Sequence, residues 1–200
     1  MARWSYNRIV KEFSDAEEYD RWYEQNEEIY RSELEFISEL IGRSRFIEVG
    51  AGTGRFGGSL GAVLLIDISR EMLEIAAAKG FDCVLADATS LPLRSKSVDA
   101  VLFAFSLSFM PYAGALREAL RVSKEKIVIV DVDPASEDYV KSLKDFYSSY
   151  EPTRVLRALE LLGKRYNVKL RRTVLSSGAQ KVGIIGILVP IQSNAGRRKK

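Results

Sequence analysis

The sequence predicts an α/β protein: a doubly wound, mostly parallel seven-stranded sheet with an antiparallel last strand and helices on both faces. Three observations carry that expectation. Between Arg45 and Asp131, short apolar strand-like runs alternate with helical patterns, as in a parallel sheet covered on both faces. The first run leads into Glu48-Val49-Gly50-Ala51-Gly52-Thr53-Gly54, a turn with glycine at three alternate positions. Two further strand-like runs, 167–175 and 181–189, close the chain. The Ser176-Ser177-Gly178 reversal between them makes that pair antiparallel.

In chain order, residues 14–41 read as one helix. Ser14 or Asp15 caps its start, and Tyr19, Trp22, Tyr23, Ile29, Tyr30, Leu34, Ile37, Leu40 and Ile41 recur near helical spacing before Gly42 stops it. Strands follow at 45–49, 62–67, 82–86, 98–105 and 126–131, with helices over 69–79 and 112–123. The first crossover, Arg55 to Gly61, is short and glycine-rich, and has room for at most one or two helical turns. Past Pro134, residues 136–149 and 153–165 read as two helices. Residues 1–196 are therefore expected to form a single domain. Within it, 14–41 is an N-terminal helical lid, 45–131 a ligand-binding core, 134–165 a helical segment near a second site, and 167–189 the final two strands. Residues 197–200 form a basic tail, expected to be disordered.

Composition narrows the chemistry. With 200 residues and 46% apolar content the chain can bury a full core. No apolar run approaches the roughly 20 residues needed to span a bilayer, and the first residues lack the apolar stretch of a secretory signal. A single cysteine, Cys83, excludes an internal disulfide and fits a reducing cytoplasm. There is no histidine, which argues against triad hydrolysis, zinc hydrolysis and any metal site built on imidazole. Arg197, Arg198, Lys199 and Lys200 supply four positive charges against a net +3, so residues 1–196 carry −1. The basic character lies in the tail.

The glycine turn lets the backbone reverse tightly and bring N–H groups close to a ligand with no Cβ in the way. Glu48 precedes it at a strand's carboxyl end, where open α/β sheets bind ligands. A ligand there meets an acid as well as donors. Asp67 ends the second strand, where a carboxylate can accept both hydroxyls of a ribose; the plainer reading is an acid at the start of the helix that Ser69 opens. Asp87 follows the third strand, where it can accept a purine's amino hydrogens or serve as an ordinary turn residue.

Glu48, the glycines, Asp67 and Asp87 in this order resemble the pattern of class I S-adenosylmethionine-dependent methyltransferases, the Rossmann-like group that contains the ubiquinone/menaquinone-biosynthesis type. The resemblance spans about Arg45 to Asp131. Leu65-Ile66-Asp67 is similar to the second motif of that family, Ala86-Asp87-Ala88 with Leu91-Pro92-Leu93 to the third, and Ser97-Val98-Asp99-Ala100-Val101 to the start of the fourth strand. It implies S-adenosyl-L-methionine as cofactor. Gly50, Ala51, Gly52 and Gly54 would wrap its methionine part, with Glu48 toward its ammonium. Asp67 would hold the ribose while Ile68 and Met72 pack on the adenine. Asp87 would read the adenine amino group beside the Ala88 N–H, and Phe105 and Ser106 would line the methionine side. Two departures stand out: the short first crossover, and Ser123-Lys124-Glu125 where a Gly-Gly turn often precedes the fifth strand.

The implied activity is in-line methyl transfer to a small, planar or apolar acceptor. Transfer from a sulfonium relies on alignment and desolvation, so no catalytic acid or base is singled out. Tyr19, Trp22, Tyr23, Phe109, Tyr112, Phe146, Tyr147 and Tyr150 are the candidates for an aromatic acceptor pocket under the N-terminal lid. Phe103-Ala104-Phe105-Ser106-Leu107 differs from the Asn/Asp-Pro-Pro-aromatic motif of exocyclic-amine methyltransferases acting on bases, and Cys83 lies mid-strand as a core residue.

The alternatives are a tRNA or rRNA methyltransferase, an NAD(P)-binding oxidoreductase, and a cofactor-binding regulator without catalysis. The first rests on the tail plus Arg154, Arg157, Lys164, Arg165, Lys169, Arg171 and Arg172, with Val168 and Leu170 expected to face inward. The second rests on Gly52-Thr53-Gly54-Arg55-Phe56-Gly57, but this fingerprint places its acid about 20 residues on, whereas Asp67 lies only ten after Gly57. It also leaves Glu48 and Asp87 unexplained. The sequence sets no oligomeric state.

Overall fold

The computed structural model describes residues 10–11, 13, 16–177 and 180–191. The Ser14/Asp15 cap, the reversal at Gly178 and the basic tail lie outside them. The N-terminal helices are α1 (Ala16–Gln25) and α2 (Glu27–Ile41). Five parallel strands follow: β1 (Phe46–Val49), β2 (Leu65–Asp67), β3 (Cys83–Leu85), β4 (Val98–Ala104) and β5 (Ser123–Val132). Between them run α3 (Arg55–Ser59), α4 (Arg70–Ala78) and α5 (Tyr112–Val122). Helices α6 (Glu137–Phe146) and α7 (Thr153–Gly163) precede β6 (Lys169–Ser177) and β7 (Gln180–Pro190). The sheet order is β3-β2-β1-β4-β5-β7-β6. The last strand, β7, inserts antiparallel between β5 and β6, which restores β6 to the direction of the parallel strands.

Strand residues alternate between two cores, as a period of two requires. Ile47, Val49, Val101, Phe103, Ile127 and Ile129 pack against α5 and α7. Phe46, Ala100, Leu102, Val128 and Val130 pack against α2 and α3. The sheet is thus covered on both faces, and the buried stretches of its central strands are apolar up to the acids at their carboxyl tips.

Three expectations need correction. The helix read as continuous over 14–41 is broken at Asn26 (φ −122°, ψ 43°), whose Nδ2 donates to Trp22 O at 2.8 Å. A short amide side chain that bonds a nearby carbonyl competes with the helical ladder. The break frees α1 to turn over the strand tips while α2 stays on the sheet. In β6, Leu170 and Val174 are exposed (45% and 65%), whereas Leu175 packs inward and Arg171 lies over the Phe36 ring, 5.0 Å from its centroid. Val168 packs inward as expected, but within β6 the helical cover meets Arg171 and Leu175 rather than Leu170, because α2 covers only one side of this edge strand. Lastly, no separate turn precedes the fifth strand: α5 runs straight into β5 at Ser123, whose hydroxyl donates to Ala119 O at 2.6 Å. The short first crossover holds one five-residue helix, α3.

Candidate active site

The carboxyl tips of β1, β2, β4 and β5 and the turn after β3 open onto one cavity of about 570 Å³, roofed by α1 and walled by α2 and α6. At the strand-tip end the backbone is held in unusual conformations. Gly50, Gly52 and Gly54 all have positive φ. At Gly50 a Cβ would come within 2.6 Å of the Ser106 Cβ, so only glycine permits β1 and β4 to approach this closely. Phe105 also has a positive φ (50°), a conformation that side-chain-bearing residues adopt rarely and mostly at functional sites. Ser106 Oγ donates to Val49 O at 3.0 Å, tying the two tips together.

The acids at this end are held by local donors. Asp67 accepts from Gly52 N on one oxygen and Ser69 N on the other, both at 2.8 Å. Burial pushes this carboxyl up, and those backbone bonds oppose the shift. Asp87 accepts the Thr89 N–H and hydroxyl, both at 2.7 Å and both on Oδ1, so Oδ2 keeps its acceptor capacity. Helix α4 begins beneath, its Met72 N capped by Ser69 Oγ at 3.3 Å.

Helix α1 is latched over the glycine turn by Asp20. Its carboxylate accepts Thr53 Oγ1, Arg55 Nε at 2.9 Å and Lys79 Nζ. Burial alone would raise the Asp20 carboxyl, but the Lys79, Thr53 and Arg55 contacts outweigh it and hold it below the ordinary range. The far end of the cavity is aromatic. Phe13 stacks on Tyr147 with centroids 5.0 Å apart and meets Phe109 edge-on at 5.0 Å, and Phe109 lies 5.3 Å from Tyr150. Tyr19 and Tyr23 meet at 5.2 Å.

Two further acids reach this aromatic end. Asp131, at the tip of β5, accepts Ser108 Oγ at 2.8 Å and Val132 N at 2.9 Å, and burial pushes its carboxyl up to about 6. Glu33, on α2, is 4% exposed and its Oε2 has no hydrogen-bond partner among the described residues. Burial pushes it up to about 8.

Gly50, Gly52, Asp67, Ile68, Met72, Asp87, Ala88, Phe105 and Ser106 all line the cavity, with Tyr19, Trp22, Tyr23, Phe109, Tyr147 and Tyr150. Ala51 and Gly54 do not; they shape the turn from behind, Gly54 N donating to Ala51 O at 2.9 Å. Tyr112, at the start of α5, packs into the core on the other face. The side chain of Phe146 lies outside those described. Glu48 is the largest departure. Instead of facing the cavity it turns under the turn to accept Gly57 N at 2.7 Å. That N–H is one of the free donors in the first turn of α3, and the missing Cβ at Gly57 leaves the carboxylate room, since a Cβ there would stand 2.4 Å from Oε2.

Sequence reasoning missed Glu33, Asp131 and Tyr139. Two of these left a signal. Asp131 ends an apolar strand just as Asp67 does, and Glu33 falls four residues after Ile29 and four before Ile37, on the apolar face of α2.

The residues present fit S-adenosylmethionine. The Gly50 and Gly52 cradle is one that side chains would fill. Asp67 retains lone pairs beyond its two backbone bonds for ribose hydroxyls, and Asp87 Oδ2 is open to an amino group. This fold and donor set define an S-adenosylmethionine-dependent methyltransferase. The methyltransferase domain family matches residues 47–130. An uncharacterised protein of Methanocaldococcus jannaschii is 34% identical over 170 residues, 80% of this chain and 82% of that protein. A SAM-dependent methyltransferase of Thermotoga maritima, described as a possible histamine N-methyltransferase, superposes with a TM-score of 0.74 at 25% identity, covering 91% of this chain and 98% of that one. The ubiquinone/menaquinone biosynthesis C-methyltransferase of Xanthomonas campestris is 30% identical over 122 residues, 52% of this chain and 48% of that enzyme. The chain belongs to the class I S-adenosylmethionine-dependent methyltransferases.

Proposed function

We propose that the chain methylates a small, planar or apolar acceptor held at the aromatic end of the cavity. The observation that carries this reading is continuity: the same cavity runs from Gly50, Asp67 and Asp87 to Phe109, Tyr139 and Tyr147. Bound S-adenosylmethionine supplies a methyl group already activated by its sulfonium, so much of the rate can come from alignment and exclusion of water. The chain's own part is positional. Asp67 and Asp87 hold the nucleoside end, the Gly50–Gly52 backbone and Ser106 hold the amino-acid end, and Phe105 stands between the two halves. The α1 lid, latched by Asp20, closes over both and keeps water out.

Two observations favour a small acceptor over tRNA or rRNA. Among the described residues no Lys or Arg lines the cavity, which suits poorly a site for a phosphate-bearing chain. Several of the basic residues proposed to contact RNA have partners within the fold: Arg171 pairs with Glu39, Arg172 with Asp133 at 3.0 Å, Lys164 with Glu160 at 3.1 Å, and Arg154 donates to Ser108 O at 2.9 Å. The test is a metabolite extract incubated with the protein and S-adenosylmethionine labelled in the methyl group, set beside bulk tRNA at low salt. Label in a low-molecular-weight product supports the reading. Label or salt-dependent affinity confined to the tRNA overturns it.

A further inference from the structure

Resting on that reading of the aromatic end as the acceptor site, we propose that Glu33 is the acceptor-binding residue and that the group it binds is an amine. Burying an ionisable side chain without a partner is costly, and nothing in the packing of α2 calls for a carboxyl among Ile29, Phe36, Ile37 and Ile41. Yet Glu33 is buried, lines the cavity and leaves Oε2 unpartnered among the described residues. The groups that face it are the phenols of Tyr19 and Tyr23 from α1 and Tyr139 from α6. No ion pair to Glu33 forms among the described residues, and Oε2 faces a cavity from which a ligand could supply the partner.

The surroundings specify that partner. An amine serves Glu33 in either state: an ammonium donates to the carboxylate, and a free amine accepts from the protonated carboxyl. Among the described residues five carboxyl side chains line the cavity, those of Glu18, Glu33, Asp67, Asp87 and Asp131, and no Lys or Arg. Such a site attracts a cation and repels carboxylates and phosphates. Aromatic faces add to the attraction of an ammonium and give nothing comparable to an alcohol. An amine is also the acceptor that a buried carboxyl can prepare for reaction. Where Glu33 is ionised, as a substantial fraction is at pH 8, the entering ammonium gives one N–H proton to it. The carboxylate becomes a neutral carboxyl, and the nitrogen keeps the electron pair of that bond as a free lone pair. Where Glu33 is already protonated, the amine enters as the free base and reaches the same neutral pair. A dry site favours this neutral pair over the ion pair, and the position of the Glu33 carboxyl near neutrality, which burial causes, suits the exchange.

The experiment compares benzylamine, 2-phenylethylamine and tryptamine with benzyl alcohol, 2-phenylethanol and tryptophol. Binding is measured by calorimetry at pH 8 to the full chain saturated with S-adenosylhomocysteine, in the wild type and in Glu33→Gln. At least one amine is expected to bind tenfold or more tightly than its alcohol, and Glu33→Gln to erase that preference while leaving the S-adenosylhomocysteine affinity within twofold. Glu33→Gln should also raise the Tm at pH 8, which a residue kept for structural reasons would not do. The proposal is overturned if no amine outbinds its alcohol, if the preference survives in Glu33→Gln, or if that variant melts lower. Normal S-adenosylhomocysteine binding in those cases leaves the methyltransferase site standing. Failure of the wild type to bind S-adenosylhomocysteine would remove the underlying reading itself.

Discussion

At the strand tips Asp67 and Asp87 take their hydrogen bonds from backbone N–H groups two residues further on, whereas at the aromatic end Glu33 has no partner among the described residues. The first arrangement is built by the chain locally: a strand ends in an acid, the backbone turns, and the turn's own donors fix the carboxylate. The second is assembled from α1, α2 and α6, segments far apart in sequence that meet only in the folded protein. A satisfied acid holds its geometry whether or not a ligand is bound. A buried, unsatisfied one destabilises the empty site and is relieved when a ligand enters. Asp67 and Asp87 therefore differ in kind from Glu33, preformed against waiting. Glu48, behind the glycine turn, is intermediate, with Oε2 on Gly57 N and Oε1 unpartnered among the described residues.

The comparison breaks most sharply at Asp67. Asp67→Ala removes the acceptor shared by Gly52 N and Ser69 N as well as the ribose contact, and calorimetry should show S-adenosylhomocysteine binding weakened by about 100-fold or more, roughly 3 kcal/mol. Glu33→Gln should act on stability and depend on pH. The Glu33 carboxyl titrates at about 8 in the folded chain against an ordinary 4.5. Between those values the folded state holds the extra proton, so wild-type stability falls as pH rises through that window, and the Gln variant lacks this slope. Urea unfolding should find the two close near pH 5 and the variant more stable by on the order of 2–4 kcal/mol near pH 8. Asp131 adds a similar slope between 3.8 and about 6, present in both proteins.

Smaller effects sharpen the boundary between the ends. Asp20→Ala releases α1 from Thr53, Arg55 and Lys79. Faster hydrogen exchange over residues 16–25 and about tenfold weaker cofactor binding are expected, about 1.4 kcal/mol. Tyr147→Ala removes the ring stacked on Phe13. It should raise the KM for the acceptor several-fold while the Kd for S-adenosylhomocysteine stays constant.

Legibility in the sequence follows the same division. Strand tips announce themselves, because an apolar run, an acid and a glycine or cap lie within a few residues. The sheet, its antiparallel closing pair and the positions of Asp67 and Asp87 are therefore readable from residue order alone. Glu48 shares that local pattern and still goes elsewhere: the Gly57 N–H in the first turn of α3, which has no backbone partner, takes its carboxylate, and residue order alone does not show which donor wins. The aromatic end is legible only as a set of rings. Which of them meet depends on the break at Asn26, on the packing of α6, and on the choice of face that puts Tyr112 into the core rather than the cavity. The acids there are readable one at a time, Glu33 from its place on an apolar helical face and Asp131 from its strand tip, but no spacing rule joins residues a hundred positions apart.

The cofactor end should work independently of the acceptor end. Calorimetry of S-adenosylhomocysteine, with NAD as control, against the wild type, Asp67→Ala and Glu33→Gln tests this most directly. Binding to the wild type and Glu33→Gln with the same affinity is expected, with loss in Asp67→Ala and no binding of NAD. Normal binding by a folded Asp67→Ala, or NAD binding where S-adenosylhomocysteine fails, would contradict it.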